Sequence, residues 1–206
     1  MILYAISDRR LAGEGGLLGQ LSALIRAGVD WLQLREKDLP DRALFEVLRA
    51  LRWEALRFGT RLLVNGRPDL ALASGAAGVH LPAQGLPTGE VRRLCPPPFL
   101  VVRSCHDLAE VQRAAEEGAD AVTLGPVFPT PSKAPYGPPL GLEALQEACR
   151  QSPIPVLALG GVSRDRLGTV LRAGAAGVAA IRLFAEMGNP LQEVPALRRR
   201  AEASSR

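Results

Sequence analysis

Arginine supplies nearly all of the positive charge in this chain. Among 25 basic residues only Lys37 and Lys133 are lysine, and His80 and His106 are the only histidines. Where arginine serves as the generic cation, the rare lysines and histidines are the residues to suspect of chemistry. An ammonium is a compact point charge, and an imidazole titrates near neutrality. Compositional drift would leave the same four residues at random positions, so location decides. His80 and His106 are candidates for proton transfer, although a lone histidine on an apolar strand also serves as a hydrogen-bonded core residue. Arg35 and Lys37 alternate. They share a face if a strand runs through both, and Glu36 then points away. Lys133 sits in a stretch with six prolines between Pro126 and Pro139, a loop stiff enough for an ordered lid whose lysine clamps an anion. Gly160-Gly161, with Ser163 and a helix-like run behind them, offers bare backbone N–H groups that suit a phosphate. Arg182 is placed to add charge there. A tight turn would use the same two glycines. Ser104 can donate to an anion, and Cys105 beside it has no readable base and is assigned to structure.

These residues need elements to hold them. Apolar runs predict strands at Ile2–Ile6, Trp31–Arg35, Arg61–Asn65, Gly78–Leu81, Leu100–Ser104, Ala121–Gly125, Val156–Gly160 and Gly177–Arg182. Apolar residues three and four apart predict helices between them, such as Leu17–Ala27, Arg42–Arg57, Leu108–Glu117 and Arg164–Ala173. Asp41, Asp107 and Ser163 are placed as N-caps, and Gly28, Gly75, Gly118 and Gly174 as C-terminal stops. Three segments repeat one phrase of helix end, glycine, small residues and strand: Ala73-Ser-Gly-Ala-Ala-Gly-Val-His, Glu117-Gly-Ala-Asp-Ala-Val and Arg172-Ala-Gly-Ala-Ala-Gly-Val. Repeated βα units of this kind predict a (β/α)8 barrel. A doubly wound open sheet is the runner-up, and it lacks a Gly-x-Gly-x-x-Gly after the first strand. In a barrel, active sites gather at the C-terminal strand ends. Both lysines and both histidines fall on that face.

The 206 residues suit one domain over 1–206, and a hydrophobic share of 47% supports a full core. No apolar run reaches the ~18 residues of a membrane span, and Asp8 interrupts the first run too early for a signal peptide. Cys95, Cys105 and Cys149 lack metal spacing and cannot all pair, which predicts a reducing, cytoplasmic setting. The net charge of +4 is interleaved, as in Arg164-Asp-Arg166, and the few aromatics are scattered. That composition favours small anionic substrates over nucleic acid.

Six segments occur in a telling order: Gln33-Leu-Arg-Glu-Lys-Asp38, Val64-Asn-Gly-Arg-Pro-Asp69, Gly78-Val-His-Leu81, Ser104-Cys-His106, Gly125-Pro-Val-Phe-Pro-Thr130 and Ala158-Leu-Gly-Gly-Val162. Together they resemble the thiamine phosphate synthase/TenI family over nearly the whole chain. The resemblance implies a (β/α)8 barrel acting on thiazole phosphates. It implies substrate contacts from Gln33, Arg35, Lys37, Asn65 and Arg67, from Ser104, Thr130 and Lys133, and from Gly160 and Gly161, to which the strand-end position adds Arg182.

The family's synthases couple a hydroxymethylpyrimidine diphosphate to a thiazole phosphate with Mg2+. Their acidic ligands lie in an Asn-Asp pair after strand three and a Gly-Gln-Glu-Asp stretch after strand four. Here Gly66 follows Asn65, and the second stretch reads Pro82-Ala83-Gln84-Gly85. Both acids are missing, although a Mg2+ on a diphosphate normally takes one or two protein carboxylates. The TenI-like branch reads Asn-Gly-Arg and Leu-Pro at these places, as Asn65-Gly66-Arg67 and Leu81-Pro82 do. The expectation is therefore a thiazole tautomerase, a metal-free isomerase. His80 would be its base and acid, with His106 and Lys37 as further catalytic candidates. Arg35, Lys37 or Arg67 would hold the carboxylate. That branch carries its catalytic histidine after the strand-six glycine, where this chain has Pro126, and Gly125–Thr130 with Lys133 resembles the synthases instead. Arg182 replaces a family serine. A synthase with a rebuilt metal site is the alternative, and a non-catalytic binder of thiamine intermediates is the third reading. No cofactor is expected unless the synthase holds, in which case Mg2+ is. The expected partner is a small phosphorylated thiazole, with no nucleic acid and no membrane; a homo-oligomer is compatible with the chain.

Overall fold

A computed structural model describes residues 1–130 and 137–204. Eight parallel strands close into a barrel: β1 (Ile2–Ile6), β2 (Trp31–Leu34), β3 (Arg61–Asn65), β4 (Gly78–Leu81), β5 (Leu100–Cys105), β6 (Ala121–Leu124), β7 (Val156–Leu159) and β8 (Gly177–Ala180). Each pairs with its successor, and β8 pairs back to β1 through Leu3↔Val178 and Ala5↔Ala180. The strands read as unbroken apolar runs because both faces are covered. One set of alternate residues, including Leu3, Leu32, Val64 and Val178, packs outward under the helices. The other set, including Tyr4, Leu63, Val102, Leu157 and Ala179, fills the interior.

Helices follow the strands: α1 (Gly16–Arg26), α2 (Asp41–Phe58), α3 (Pro68–Ser74), α4 (Thr88–Leu94), α5 (Leu108–Glu116), α6 (Gly141–Gln151), α7 (Leu167–Arg172), a single turn α8 (Arg182–Ala185) and α9 (Pro190–Ser204). A 3-10 turn at Arg9–Leu11 caps the end of β1. The expected barrel and strand positions are observed, but boundaries move. Arg35, Gly125, Gly160 and Arg182 lie beyond their strands, where backbone turns away from the ladder. Asp41 is the first residue of α2, behind Pro40. Ser163 is not an N-cap: a turn over 164–166 intervenes, and α7 starts at Leu167 behind Arg166. Asp107 does cap α5, its side chain accepting from the Glu110 N–H at 2.7 Å.

At the N-terminal end of the barrel two aspartates do matching work. Asp30, just before β2, accepts from the Leu3 N–H at 2.7 Å and from Arg198 of α9 at 2.9 Å. Asp120, just before β6, accepts from the Val101 N–H at 2.7 Å and pairs with Arg92 of α4. Each ties a strand end to an outer helix on the face that carries stability in this fold.

Candidate functional site

The inward positions near the opposite end divide the barrel mouth in two. From β2 to β6 they are polar: Gln33, Asn65, His80, Ser104 and Thr123. From β7 round to β1 they are apolar, with Leu157, Ala179 and Ile6. Gln33 is 1% exposed. Its Nε2 donates to Asn65 Oδ1 at 3.1 Å, and its Oε1 accepts from nothing among the described residues. A buried carbonyl oxygen without a donor costs stability, so it marks a place where a ligand's N–H or O–H is wanted.

Arg35 follows Gln33 on the same alternation, one residue past the strand and half-buried. Its backbone N–H donates to Ser7 Oγ at 2.8 Å. Its guanidinium has no hydrogen bond or ion pair among the described residues. Glu36 turns the other way, as alternation requires. It is 5% exposed, takes the Ser7 hydroxyl at 2.6 Å, and takes the Arg9 N–H with both oxygens at 3.1 Å. The Arg9 guanidinium then reaches Asp38, one N–H at 2.8 Å. This network locks the β1 and β2 loops together and sets the direction in which Arg35 and Lys37 leave the barrel. Lys37 is exposed and lines a cleft of about 300 Å³ with Glu36, Asn65, Gly66 and Arg67.

His80 sits inside the mouth, 3% exposed. Its Nδ1 lies 2.8 Å from the Tyr4 hydroxyl and its Nε2 lies 2.7 Å from Ser104 Oγ. Burial, reinforced by the positive charges of Arg35 and Arg103, pushes its pKa down to about 3. The ring is neutral at pH 7, with one nitrogen accepting and the other donating. Both are engaged, so His80 braces β1, β4 and β5 from within. Tyr4 and Thr123, the latter 3.5 Å from Nε2, escaped sequence reasoning. The period of two along β1 and β6 was the signal that could have placed them beside His80.

The other expected residues are placed as follows. Arg67 donates to Asp69 at 2.6 Å and to Asp41 at 3.0 Å. Its guanidinium is shared by two carboxylates, which corrects its expected role as a bare anion ligand. His106 is exposed at the start of α5, with Nδ1 3.2 Å from Glu110 and its backbone N–H donating to the same carboxylate at 2.7 Å. It closes the α5 cap and does not join His80. Arg182 begins α8 and reaches Glu186 at 3.1 Å, its side chain 65% exposed, so its charge is shared with a carboxylate one turn on. Thr130 is half-buried in the loop after β6. Lys133 lies outside the described residues. Cys105 is buried, its thiol pushed up to about 12 by burial, as suits an inert structural residue.

Gly160 and Gly161 have φ of +92° and +64°. A side chain at 160 would collide with Pro126, and one at 161 with Phe128 and Pro129. The glycines therefore let the β6 loop close over the β7 loop. Arg166 holds that contact, stacking 4.5 Å over Phe128 and donating to the Gly161 carbonyl at 2.8 Å. The Gly161 and Val162 N–H groups donate to no partner among the described residues. The expected helix start is not behind them, so any phosphate there would be held by loop amides and not by a helix end.

The donor set does not form an all-protein metal cage. Among the described residues no three of His, Cys, Asp and Glu come together, and residues 131–136 contain none of these types. Gly66 has φ +66° and donates its N–H to the His80 carbonyl at 2.8 Å. The β4 loop is held by Arg103, which donates to the Ala83 and Leu86 carbonyls at 2.6 Å each. Among the described residues no helix is long and apolar enough to cross a membrane.

Comparison with known proteins brings this site into focus. The family model described as thiamine monophosphate synthase matches residues 3–184. A Geobacter sulfurreducens protein, to which the name thiamine-phosphate synthase is attached provisionally, is 46% identical over 195 residues, covering 95% of this chain and 92% of its own. The thiamine-phosphate synthase of Methanoculleus marisnigri is 41% identical over 203 residues, covering 98% and 96%. Among solved structures, the thiamine phosphate pyrophosphorylase of Pyrococcus furiosus superposes with a TM-score of 0.88 at 30% identity, covering 98% and 96%. These relatives overturn the expectation of a thiazole tautomerase and with it the isomerase assignment. The short matches at Asn65-Gly66-Arg67 and Leu81-Pro82 misled because they span a few loop residues, whereas the synthase likeness runs the length of the barrel.

Proposed function

Because the chain belongs to the thiamine monophosphate synthase family, we propose that it is a transferase coupling hydroxymethylpyrimidine diphosphate with thiazole phosphate to give thiamine phosphate and pyrophosphate. The observation that carries this reading is the likeness to the Methanoculleus synthase across almost the whole of both chains. In the reaction the C–O bond to the diphosphate breaks and its electron pair leaves with pyrophosphate. The thiazole nitrogen supplies the pair for the new C–N bond. No proton need be abstracted in that exchange, which agrees with a mouth whose one buried histidine is neutral and engaged.

The polar arc supports a division of labour. Gln33 Oε1, the acceptor that lacks a donor, is suited to the exocyclic amine of the pyrimidine, with Asn65 fixing the amide's orientation. Arg35 and Lys37 suit the diphosphate, and the amides of Gly161 and Val162 suit the thiazole phosphate. The apolar half of the mouth receives the ring faces. A metal is no part of this account, because the carboxylates that would hold one are absent from the Gly66 and Gln84-Gly85 positions.

Purified protein given both substrates is expected to form thiamine phosphate and release pyrophosphate in equal amounts, read by chromatography and a pyrophosphate assay. The missing acids favour one other reading, a binder of thiamine intermediates. Tight thiazole phosphate binding with no product under any condition would establish the binder and remove the synthase.

A further inference from the structure

We propose that this chain neutralises a substrate diphosphate with its own cationic side chains, Arg35 foremost, and recruits no divalent cation to do so. The inference rests on the synthase reading for the identity of the ligand, and on three observations of its own.

First, six carboxylates in the loops after β1, β2, β3 and β5 are already engaged. Glu36 holds Ser7 and the Arg9 N–H, Asp38 holds Arg9, and Asp8 holds Arg10. Asp41 and Asp69 share Arg67, and Glu110 closes the α5 cap. A cation binding at Asp41 and Asp69 would have to displace a guanidinium that donates to both. Second, the chain has no carboxylate at Gly66 or over residues 82–85, the places after β3 and β4 where the resemblance to the synthases implies acidic ligands. At residue 66 the backbone is left-handed, a conformation that glycine adopts without strain. Third, Arg35 is a half-buried guanidinium that makes no hydrogen bond or ion pair among the described residues, two positions beyond Gln33 on the inward alternation. Its charge is felt at His80 inside the mouth. A guanidinium fork matches two phosphate oxygens and stays charged at any working pH. It supplies in fixed form the neutralisation that a metal would bring with its waters.

The test is calorimetric titration of inorganic pyrophosphate into the full chain, in excess EDTA and in Mg2+. Affinity in EDTA is expected within about threefold of that in Mg2+, and Arg35→Met is expected to weaken both by about 10–100-fold. Arg35→Lys, which keeps the charge, is expected to lose less, and unchanged circular dichroism checks that each variant folds. Gly66→Asp is expected to weaken pyrophosphate binding in EDTA and to create a dependence on Mg2+. Pyrophosphate binding that appears only with Mg2+, saturable Mn2+ binding by the unmodified chain, or an Arg35→Met variant of undiminished affinity would each overturn the proposal. The coupling assay separates the two readings. Product formed only with Mg2+ keeps the synthase and defeats this inference. Metal-free pyrophosphate binding without product keeps the inference and defeats the synthase.

Discussion

Two arginines within one loop pair behave in opposite ways. Arg67 is held by Asp41 and Asp69, whereas Arg35 makes no ion pair among the described residues, although its charge is felt at Asp8 and at His80. Only the second can meet an anion without breaking a pair. His80 makes the complementary point. Its rarity marked it for chemistry, and its surroundings make it a brace. Its folded pKa of about 3 lies below the ordinary 6.5. Above pH 6.5 the ring is neutral folded or unfolded, and its contribution to stability is complete. As pH falls towards 3 the unfolded chain takes up a proton that the folded chain refuses, so stability declines by about 1.4 kcal/mol per pH unit. His80→Gln removes that penalty. The stability gap between the unmodified chain and His80→Gln in urea titrations is therefore expected to be widest at pH 7 and to narrow at pH 5. A gap that stays constant would show that His80 does not titrate in this window.

Elements depend on a few local devices. At the start of α5 the Asp107 side chain accepts the Glu110 N–H, and the Glu110 carboxylate reaches back to accept the His106 N–H. Asp107→Ala is expected to cost about 1 kcal/mol of stability by chemical denaturation, with coupling activity retained because the cap touches no substrate position. Gly177 illustrates a different constraint. A Cβ there would lie against the backbone of Ile2 on β1, where the barrel closes. Gly177→Ala is expected to cost about 1–3 kcal/mol, read as a lower urea midpoint. The glycines after α1, α3, α5 and the one before β8 were legible as stops because glycine alone tolerates the left-handed turn that ends a helix. The start of α7 was not legible. Ser163 resembles a cap in sequence, but the chain first makes a turn that carries Arg166 under Phe128, and only the β6 loop dictates that detour.

The molecule as a whole separates its two ends. The N-terminal end of the barrel holds Asp30 and Asp120, each joining a strand N–H to an arginine on an outer helix. The C-terminal end holds the polar arc. Asp120→Ala is expected to lower stability by about 2 kcal/mol, since charged hydrogen bonds to Arg92 and the Val101 N–H are both lost. The Michaelis constants for both substrates should stay unchanged. A shift in either constant would mean that the two ends are coupled through the sheet.

The order of apolar runs and glycine stops was enough to specify eight βα units, because the periods of strands and helices are local properties of the chain. Gln33, Arg35 and Asn65 were legible for the same reason, since motif and strand end coincide there. Partnership was not legible. Whether Arg67 is shared with Asp41 as well as its neighbour Asp69, whether His80 faces a ligand or Tyr4, and whether Gly160 bares an amide or admits Pro126 depend on residues tens of positions away. Those contacts exist only once the sheet has closed and brought distant loops to one rim. The reaction itself followed the same logic: two short loop motifs pointed to an isomerase, while the likeness that spans the barrel belongs to the synthases.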